Sequence, residues 1–463
     1  MRLPLVVLTI AIGSYAVPTP NNAFEAVTEY EKEQSLQVLT DAARNFSIKY
    51  FQKLWDQAYY TDRPVSPLSA FIPLFILSYG ARGETREMYL KEIGLAEEKT
   101  EAAKIGYEKF LRELSACGIR VSTKMFFPPN VTRDENFVNL TEKVFNVKVG
   151  NYDETKSRVW QGPINDWVAN RTNDSLAGIF WPAQINPDVS MVLVNTLSIE
   201  RTWKTQFDVS RTVPRAFYLL ESARRNTPPV NVSTMYTSGR FRHGRLDDFH
   251  ASFIELPYER KADNDAMSMF ILRMDEGYRL DVNTFVQNIA SLDLNRLLNS
   301  TEDQVEVYLP KFKTRHRYRV RLSDDVMGYV RKPPTCPPWE SCPQEPEMRP
   351  KDAGNFSGIL TSHRKSVPDE TWASVFVEVD ESGLKSADSS GLAYKTLQPE
   401  PVAERKTRSI SPNAVQFKVN RPFVAIIATI GKVMTNILSI KFLGSDFVPE
   451  DHDAWWYIGT TVS

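Results

Sequence analysis

The chain has 463 residues, of which 42% are hydrophobic and 24% are charged, a composition typical of a globular protein with a large core. Its 56 basic and 57 acidic residues give a formal net charge of -1, so the overall charge favours neither nucleic acid nor a membrane as a partner. The sequence contains no glycine-rich phosphate loop, no metal-ligand cluster of His and Cys, and no HExxH. We therefore expect no cofactor, no metal site and no catalytic residues.

Residues 1–16 have the features of a secretory signal peptide. Arg2 precedes an apolar run from Leu3 to Ile12, and the small residue Ala16 is placed like the end of a cleavage site. A membrane anchor is the alternative, but the run is shorter than the ~20 residues that span a bilayer. We predict a secreted, extracellular protein whose polar N-terminal extension covers residues 17–35.

Eight Asn-x-Ser/Thr sequences agree with secretion, and the ones in polar surroundings are the glycosylation sites that we predict: Asn130, Asn173 and Asn299.

Three cysteines are too few for a disulfide scaffold. Cys336 and Cys342 lie close together, and in an oxidising compartment we predict a disulfide bond between them. Cys117 is then left over, and we expect a buried thiol that acts as a small hydrophobic side chain.

The predicted elements change from helices to strands along the chain. Apolar residues at three- and four-residue spacing predict helices in LQVLTDAARNFSIKYFQKLW, SAFIPLFILSYGARG, TREMYLKEIGL and EEKTEAAKIGYEKFLREL. Apolar runs then predict strands in VSMVLVNTLSI, ASFIELPY, MSMFILRM, VEVYLPKF, WASVFVEVD, FVAIIATI and ILSIKFLG, interrupted by a helical pair near Val282–Leu298. This order predicts an α+β protein with mainly antiparallel or mixed sheets.

Two segments interrupt this order. Residues 331–352 hold seven prolines, so they form an irregular insertion. Residues 381–411 are polar, have no apolar period and separate two strands. A loop of that length inside a compact fold is usually functional or disordered.

An ordered set of segments resembles the serpin family over about residues 36–449: SPLSAFIPLFILSYGARGETREMYLKEIGL, INDWV, NDSLAGIF, LVNTLSIERTWKTQF, LPKF, NFSGI, VEVDESG and NRPF. The resemblance implies one domain, with about nine helices around three sheets, and an exposed reactive loop at 381–411. It also implies that the residues at the opening of the main sheet are Ser66, Asn195 and Trp203. Residues 450–463 have no counterpart in the family pattern and form a C-terminal tail.

The family resemblance also implies a mechanism. The largest sheet accepts one more strand, and the cut reactive loop supplies it, which releases stored strain. In inhibitors, the protease is still acylated to the loop and is distorted as the loop inserts.

RSISPNAVQFKVNRPF resembles the segment that follows the scissile bond in antithrombin-like members, and this places the reactive bond at Arg408–Ser409. An arginine suits the acidic specificity pocket of a trypsin-like serine protease, which is the partner we predict. The alternative is that the residues around Arg408 are only a solvated basic run and not a reactive bond. A count of seventeen residues from the hinge instead places the bond at Leu397–Gln398, where a chymotrypsin-like protease would cut.

The predicted hinge, where the loop enters the sheet, comprises Glu381, Gly383, Leu384, Ser386 and Asp388. Glu381 and Gly383 match the family, and glycine allows the backbone to pivot. Leu384 replaces a small residue, so it either packs or is too bulky for the slot. Side chains alternate along a strand, so Asp388 would share a sheet face with Leu384 and Ser386. In the family this face turns inward, where an unpaired carboxylate is costly.

The loop is also long. The 28 residues from Glu381 to Arg408 compare with roughly seventeen in the family's inhibitors. The surplus adds ~35 Å of extended chain, which weakens the pull on an acylated protease.

Two functions therefore remain open. The first is a monomeric suicide inhibitor of a trypsin-like protease. The second is a non-inhibitory binding, carrier or storage protein whose loop is only a substrate. No nucleophile–base motif supports an enzyme.

Because the outer face of the helix in EEKTEAAKIGYEKFLREL mixes Lys and Glu, we do not expect glycosaminoglycan binding.

Overall fold

A computed structural model describes most of the globular part of the chain. It covers residues 28–57, 64–128, 131–151, 161–172, 176, 191–219, 228–263, 265–275, 282–320, 355–361, 371–388, 415–431 and 437–443. None of the helices in these ranges combines the length and apolar character needed to cross a bilayer.

Eight α-helices lie in these ranges, where the family resemblance implies about nine for the whole domain. They are α1 (Glu29–Gln57), α2 (Pro67–Gly80), α3 (Glu84–Glu92), α4 (Thr100–Ala116), α5 (Glu135–Lys143), α6 (Gln161–Arg171), α7 (Val282–Asn288) and α8 (Leu294–Leu298).

Helix α1 begins earlier than the sequence pattern predicts. The Thr28 hydroxyl accepts a hydrogen bond from the Glu31 backbone N–H at 3.2 Å, and the Glu31 carboxylate accepts one from the Thr28 N–H at 2.8 Å. This reciprocal pair is a capping box, which starts a helix regardless of the polar residues that follow. The end of the predicted N-terminal extension is therefore helical.

The strands are more numerous than the helices. They are β1 (Pro64–Val65), β2 (Arg120–Phe127), β3 (Val147–Asn151), β4 (Val192–Thr202), β5 (Val213–Phe217), β6 (Val230–Leu246), β7 (Ala251–Pro257), β8 (Met267–Met274), β9 (Glu302–Pro310), β10 (Phe312–Val320), β11 (Thr371–Val379), β12 (Gly383–Asp388), β13 (Val415–Lys418), β14 (Phe423–Thr429) and β15 (Ile437–Leu443).

The main sheet has six strands in the order β10-β11-β12-β4-β2-β3. All neighbours in it are antiparallel except β2 and β3, which are parallel. The other nine strands form one continuous sheet in the order β1-β15-β14-β8-β7-β6-β9-β13, with β5 paired to β6 off this path. The long strand β6 joins its two parts, one made of β5, β6, β9 and β13 and the other of β6, β7, β8, β14, β15 and β1. Helices and mixed sheets in this arrangement confirm the predicted α+β class.

The core lies between the main sheet and the helices behind it. Helix α2 is apolar almost all round and packs against β4 and β15, as its sequence predicts for a buried helix. Helix α6 covers the other face of the sheet, where Ile164 and Val168 form a small cluster with Phe126 and Val194. The INDWV motif therefore belongs to a helix across the front of the sheet, as the resemblance implies.

The predicted loop at 381–411 does not begin as a loop. Its first part is β12, in the middle of the main sheet. The strand has only six residues. Apolar and polar residues must alternate over several positions before a strand can be predicted from sequence, so this strand was not predicted. The remainder, residues 389–414, lies outside the described residues.

Cys117 is 3% exposed, in agreement with a buried thiol. Burial, and after it the nearby Asp265 carboxylate, raise the pKa of Cys117 to about 11. Because the thiolate is the reactive form, we predict that iodoacetamide labels Cys117 at pH 8 ~100-fold more slowly in the native chain than in the denatured chain. Peptide mass mapping measures this rate separately from those of Cys336 and Cys342. Equal labelling rates would contradict the burial of this thiol.

Candidate functional site

The central feature of the site is a strand from the predicted hinge inserted between two long strands of the main sheet. On one side β12 pairs with β4, with Gly383 opposite Thr202 and Asp388 opposite Leu197. On the other side β12 pairs with β11, with Leu384 opposite Val379. The main sheet therefore receives the start of the reactive-loop region as an additional strand in an uncut chain.

A tight turn connects β11 to β12. The Asp380 carboxylate accepts hydrogen bonds from the backbone N–H of Ser382 at 2.8 Å and of Gly383 at 3.0 Å. The Asp380 N–H donates to the Gly383 carbonyl at 3.1 Å. An aspartate that hydrogen-bonds the backbone two residues later is a recurring turn former, so Asp380 sets where β12 starts. This role was not among the sequence-based predictions, although the spacing in DESG carries its signal.

Gly383 is required by a close approach of two backbones. A Cβ atom on this residue would lie 1.9 Å from the Arg201 carbonyl oxygen and 2.9 Å from the Thr202 Cα. Real Cβ atoms do not come this close to backbone atoms, so no other residue fits without moving β4 or β12. The predicted reason for this glycine was a pivoting backbone. The structure adds a steric reason, which is the contact with β4.

Trp203 holds the turn from the side of β4. Its backbone N–H donates to the Ser382 carbonyl at 2.9 Å, and its indole Nε1–H donates to the Asp380 carbonyl at 2.8 Å. The indole is 3% exposed and stacks on Tyr258 with a centroid separation of 4.6 Å. This predicted opening residue therefore contacts the turn before β12 through two hydrogen bonds.

Glu381 is anchored from two sides. Its carboxylate forms an ion pair with Lys311 at 3.1 Å and accepts a hydrogen bond from the Thr212 hydroxyl at 2.7 Å. The Phe207 N–H donates to its carbonyl at 3.1 Å. These contacts satisfy a carboxylate that is 9% exposed, because a buried charge needs a partner. They fix the turn to the sheet that contains β5 and β6.

The side chains of β12 alternate as the sequence predicts. Leu384 and Ser386 are buried, at 2% and 3% exposed, while Lys385 between them is exposed. Leu384 belongs to the main core, so of the two possibilities left open it packs rather than blocks the slot. The Ser386 hydroxyl donates to the Phe376 carbonyl at 3.1 Å. The backbone of Asp388 continues the strand, but its side chain lies outside the described set.

A buried ion pair lies beside Leu384. Arg201 stands opposite Leu384 on β4, and its guanidinium contacts the Asp265 carboxylate at 2.5 Å and the Glu259 carbonyl at 2.7 Å. Both side chains of the ion pair are essentially inaccessible. Removing Leu384 from the sheet would expose this region to water. Arg201 was not among the predicted site residues, because no local motif marks it.

Asn195 and Ser66 lie away from the hinge. Asn195 is on β4, where its amide donates to the Ser69 carbonyl in the first turn of α2 at 3.3 Å and accepts from the Thr123 hydroxyl at 2.8 Å. Ser66 is the residue before α2 and is 3% exposed. The predicted opening residues are therefore in two places: Trp203 at the hinge, and Asn195 where α2 meets the sheet.

Charges alternate across four strands on the outer face of the sheet. In register, Lys313 on β10 stands opposite Glu378 on β11, Glu378 stands opposite Lys385 on β12, and Lys385 stands opposite Glu200 on β4. Lys313 and Glu378 form an ion pair at 3.0 Å. When β12 is in the sheet, its lysine therefore separates two carboxylates. Opposite charges directly across a sheet are favourable, so Lys385 supports insertion.

Most of the other predicted site residues lie outside the described residues: Arg408, Ser409, Leu397, Gln398, Asn130, Asn173, Cys336 and Cys342. Asn299 is described and is exposed directly after α8, which makes it accessible to modification. These residues remain predictions.

We predict that Gly383→Ala displaces β12 from the sheet, because the new methyl group overlaps with the Arg201 carbonyl. Overpacking of this kind costs about 1–3 kcal/mol. The expected result is hydrogen exchange roughly tenfold faster at the amides of β4 and β11 that face β12.

Gly150→Ala is the matched control. It lies on β3 of the same sheet, where the new Cβ would meet only the flexible end of Lys124 at 3.3 Å. Unchanged protection in Gly383→Ala would contradict the steric argument.

We predict that Lys385→Glu weakens the inserted strand, because two attractive cross-strand pairs become repulsive. Each such pair contributes ~0.2–1 kcal/mol. Hydrogen exchange of β12 should be faster than in the natural chain, and the difference should shrink at high salt. Lys385→Gln removes the attraction without adding repulsion and should lie between the two. Identical exchange in the Glu and Gln variants would show that the alternating charges do not act on β12.

Comparison with known proteins agrees with this geometry. A family model described as serpin (serine protease inhibitor) matches residues 41–327, which is more than half of the chain. Antitrypsin of Bombyx mori is 25% identical over 445 residues, 95% of this chain and 100% of that protein. Antichymotrypsin-2 of Bombyx mori is 25% identical over 403 residues, 86% of this chain and 97% of that protein.

Among solved structures, that of cleaved Serpin 42Da superposes with a TM-score of 0.69 at 22% sequence identity, covering 92% of this chain and 99% of the other. The match of the family model, the full-length relatives and the main sheet with its additional strand lead to one conclusion: this chain belongs to the serpin family.

Proposed function

We propose that this chain is a secreted inhibitor of a trypsin-like serine protease, and that it acts as a suicide substrate. The observation that carries the proposal is the position of β12, paired on both sides in the middle of the main sheet. A sheet that accepts the first residues of the loop has a place for the residues that follow. The buried Leu384 and Ser386 agree with this, because their side chains fit the slot.

The reaction begins at Arg408–Ser409. The protease serine attacks the Arg408 carbonyl carbon, the amide bond breaks, and the Ser409 nitrogen leaves with a proton as the new amino terminus. Arg408 is then held as an ester on the protease. Loop residues that follow Asp388 extend β12 along β4 and β11, and the acylated protease is carried with them before water hydrolyses the ester. The chain supplies no catalytic residue to this reaction.

Secretion and processing complete the proposal. The signal peptide at residues 1–16, glycosylation at Asn130, Asn173 and Asn299, and a disulfide bond between Cys336 and Cys342 are consistent with an extracellular monomer. The exposed position of Asn299 supports its use as an attachment site.

A non-inhibitory binding, carrier or storage role is the second candidate, and two observations favour it. Alternation directs Asp388 to the same face as Leu384 and Ser386, and burial of an unpaired carboxylate costs on the order of several kcal/mol. The long loop also gives the protease time and room to hydrolyse the ester. In this case Arg408–Ser409, or Leu397–Gln398, is cut without capture.

Incubation with a panel of trypsin-like and chymotrypsin-like proteases tests the proposal. We expect an SDS-stable adduct with a trypsin-like protease, and intact mass should place the cut after Arg408. Arg408→Ala should lose the adduct with the trypsin-like protease. Leu397→Ala is the matched control and should keep it.

Clean cleavage with no adduct would overturn the inhibitory mechanism. The melting temperature of the cleaved chain separates the two candidates further, because full insertion should raise it sharply. An unchanged melting temperature would favour the binding, carrier or storage role.

A further inference from the structure

A second surface lies next to the place where the reactive loop rejoins the body. It is the outer face of the sheet formed by β5, β6, β9 and β13. Tyr236 on β6 and Tyr308 on β9 stand opposite each other, with ring centroids 5.1 Å apart. Three cations surround this pair, and we call the five residues together the tyrosine–cation surface: Arg211, Arg215, Tyr236, Tyr308 and Lys418.

The cations approach the tyrosines from both edges of the sheet. Arg215 on β5 lies 4.8 Å from the centre of the Tyr308 ring, and Lys418 on β13 lies 5.8 Å from the same ring. Arg211, just before β5, lies 3.4 Å from the Tyr236 ring. Cation–π contacts of this kind hold the cationic groups in place over the rings. They leave the charge itself uncompensated.

The carboxylate that contacts both tyrosines is buried. Glu306 is 5% exposed, and it accepts hydrogen bonds from the Tyr236 hydroxyl at 3.2 Å, the Tyr308 hydroxyl at 3.3 Å and the Gln416 amide at 2.9 Å. Arg211, Arg215 and Lys418 are all exposed. Within the described residues, none of their side chains forms an ion pair or a hydrogen bond. Asp208, three residues before Arg211, is engaged with Ser210. The outward charge of the surface is therefore positive.

The position of this surface limits what can cover it. Lys418 belongs to β13, which starts at Val415, six residues after Ser409. Six residues span at most roughly 20 Å. A protease bound at Arg408–Ser409 is larger than this distance, so its body overlies β13 and the neighbouring strands. Val213 and Val415 at the edges of the surface are 40% and 44% exposed, which adds apolar area for contact.

We infer that the tyrosine–cation surface is a docking site for an acidic rim of the protease that cuts the reactive loop. This inference rests on the proposed function. It adds that the target protease carries negative charge around its active site. Complementary charge steers the encounter and raises the association rate, more than it stabilises the final complex. The surface therefore selects among trypsin-like proteases that would all accept Arg408 in their specificity pockets.

The double variant Arg215→Glu/Lys418→Glu tests the inference. The measurement is the second-order rate of loop cleavage, followed by intact mass, with two trypsin-like proteases chosen so that one has an acidic and the other a basic active-site rim. We expect the variant to react at least about tenfold more slowly with the acidic-rimmed protease at low salt. The difference should vanish in 1 M salt, where charges are screened beyond about 3 Å.

Two controls separate charge from loss of structure. Arg215→Lys/Lys418→Arg keeps the charge and should react like the natural chain. Lys143→Glu changes an exposed cation on α5, which packs against β3 and α2, and should have no effect. Melting temperatures show whether each variant is folded.

The outcomes distinguish this inference from the proposed function. Equal cleavage rates for the natural chain and the double variant, with an adduct still formed, would overturn the docking site and leave the inhibitory mechanism intact. Cleavage without an adduct, but with a rate that depends on Arg215 and Lys418, would overturn the inhibitory mechanism and support the docking site. No cleavage at Arg408 by either protease would overturn both.

Discussion

The two-sided pairing of β12 is the interaction on which the site depends. Without it, β11 and β4 would either pair with each other or leave two rows of backbone N–H and C=O groups open, which a sheet interior does not tolerate. Gly383 permits the pairing because only a residue without a Cβ fits against the Arg201 carbonyl. Asp380 and Trp203 then fix the turn from which the strand starts. Gly383, Asp380 and Trp203 thus decide together where the loop enters the sheet.

The loop is attached at two ends that belong to different sheets. Its start is β12 in the main sheet, and its end is β13, which pairs in parallel with β9. The 26 residues between them, 389–414, lie outside the described residues. Both ends of the loop are therefore paired at the same time in the uncut chain.

Opposing electrostatic effects act along β12. Lys385 stands between Glu378 and Glu200, which favours the inserted strand, whereas Asp388 would bring a carboxylate to the inner face. The attraction is worth tenths of a kilocalorie on the exposed face, and the penalty on the buried face is larger. The favourable contact at Lys385 and the expected cost at Asp388 therefore lie within the same strand, which is paired as far as Asp388. Their balance bears on whether the residues that follow can also enter the sheet.

The sequence by itself determined the α+β class, the buried helix α2 and the long apolar strands, because these features depend on local periodicity. It also indicated the family, through an ordered set of short segments. The tertiary structure decided what no local pattern encodes. It showed that α1 starts at a capping box, that Leu384 packs beside a buried Arg201–Asp265 pair, and that Gly383 is demanded by another strand. The cations of the tyrosine–cation surface come from segments about 200 residues apart, so only folding brings them together. Contacts between distant segments depend on how the sheets close, and the spacing of residues along one strand carries no information about its neighbours.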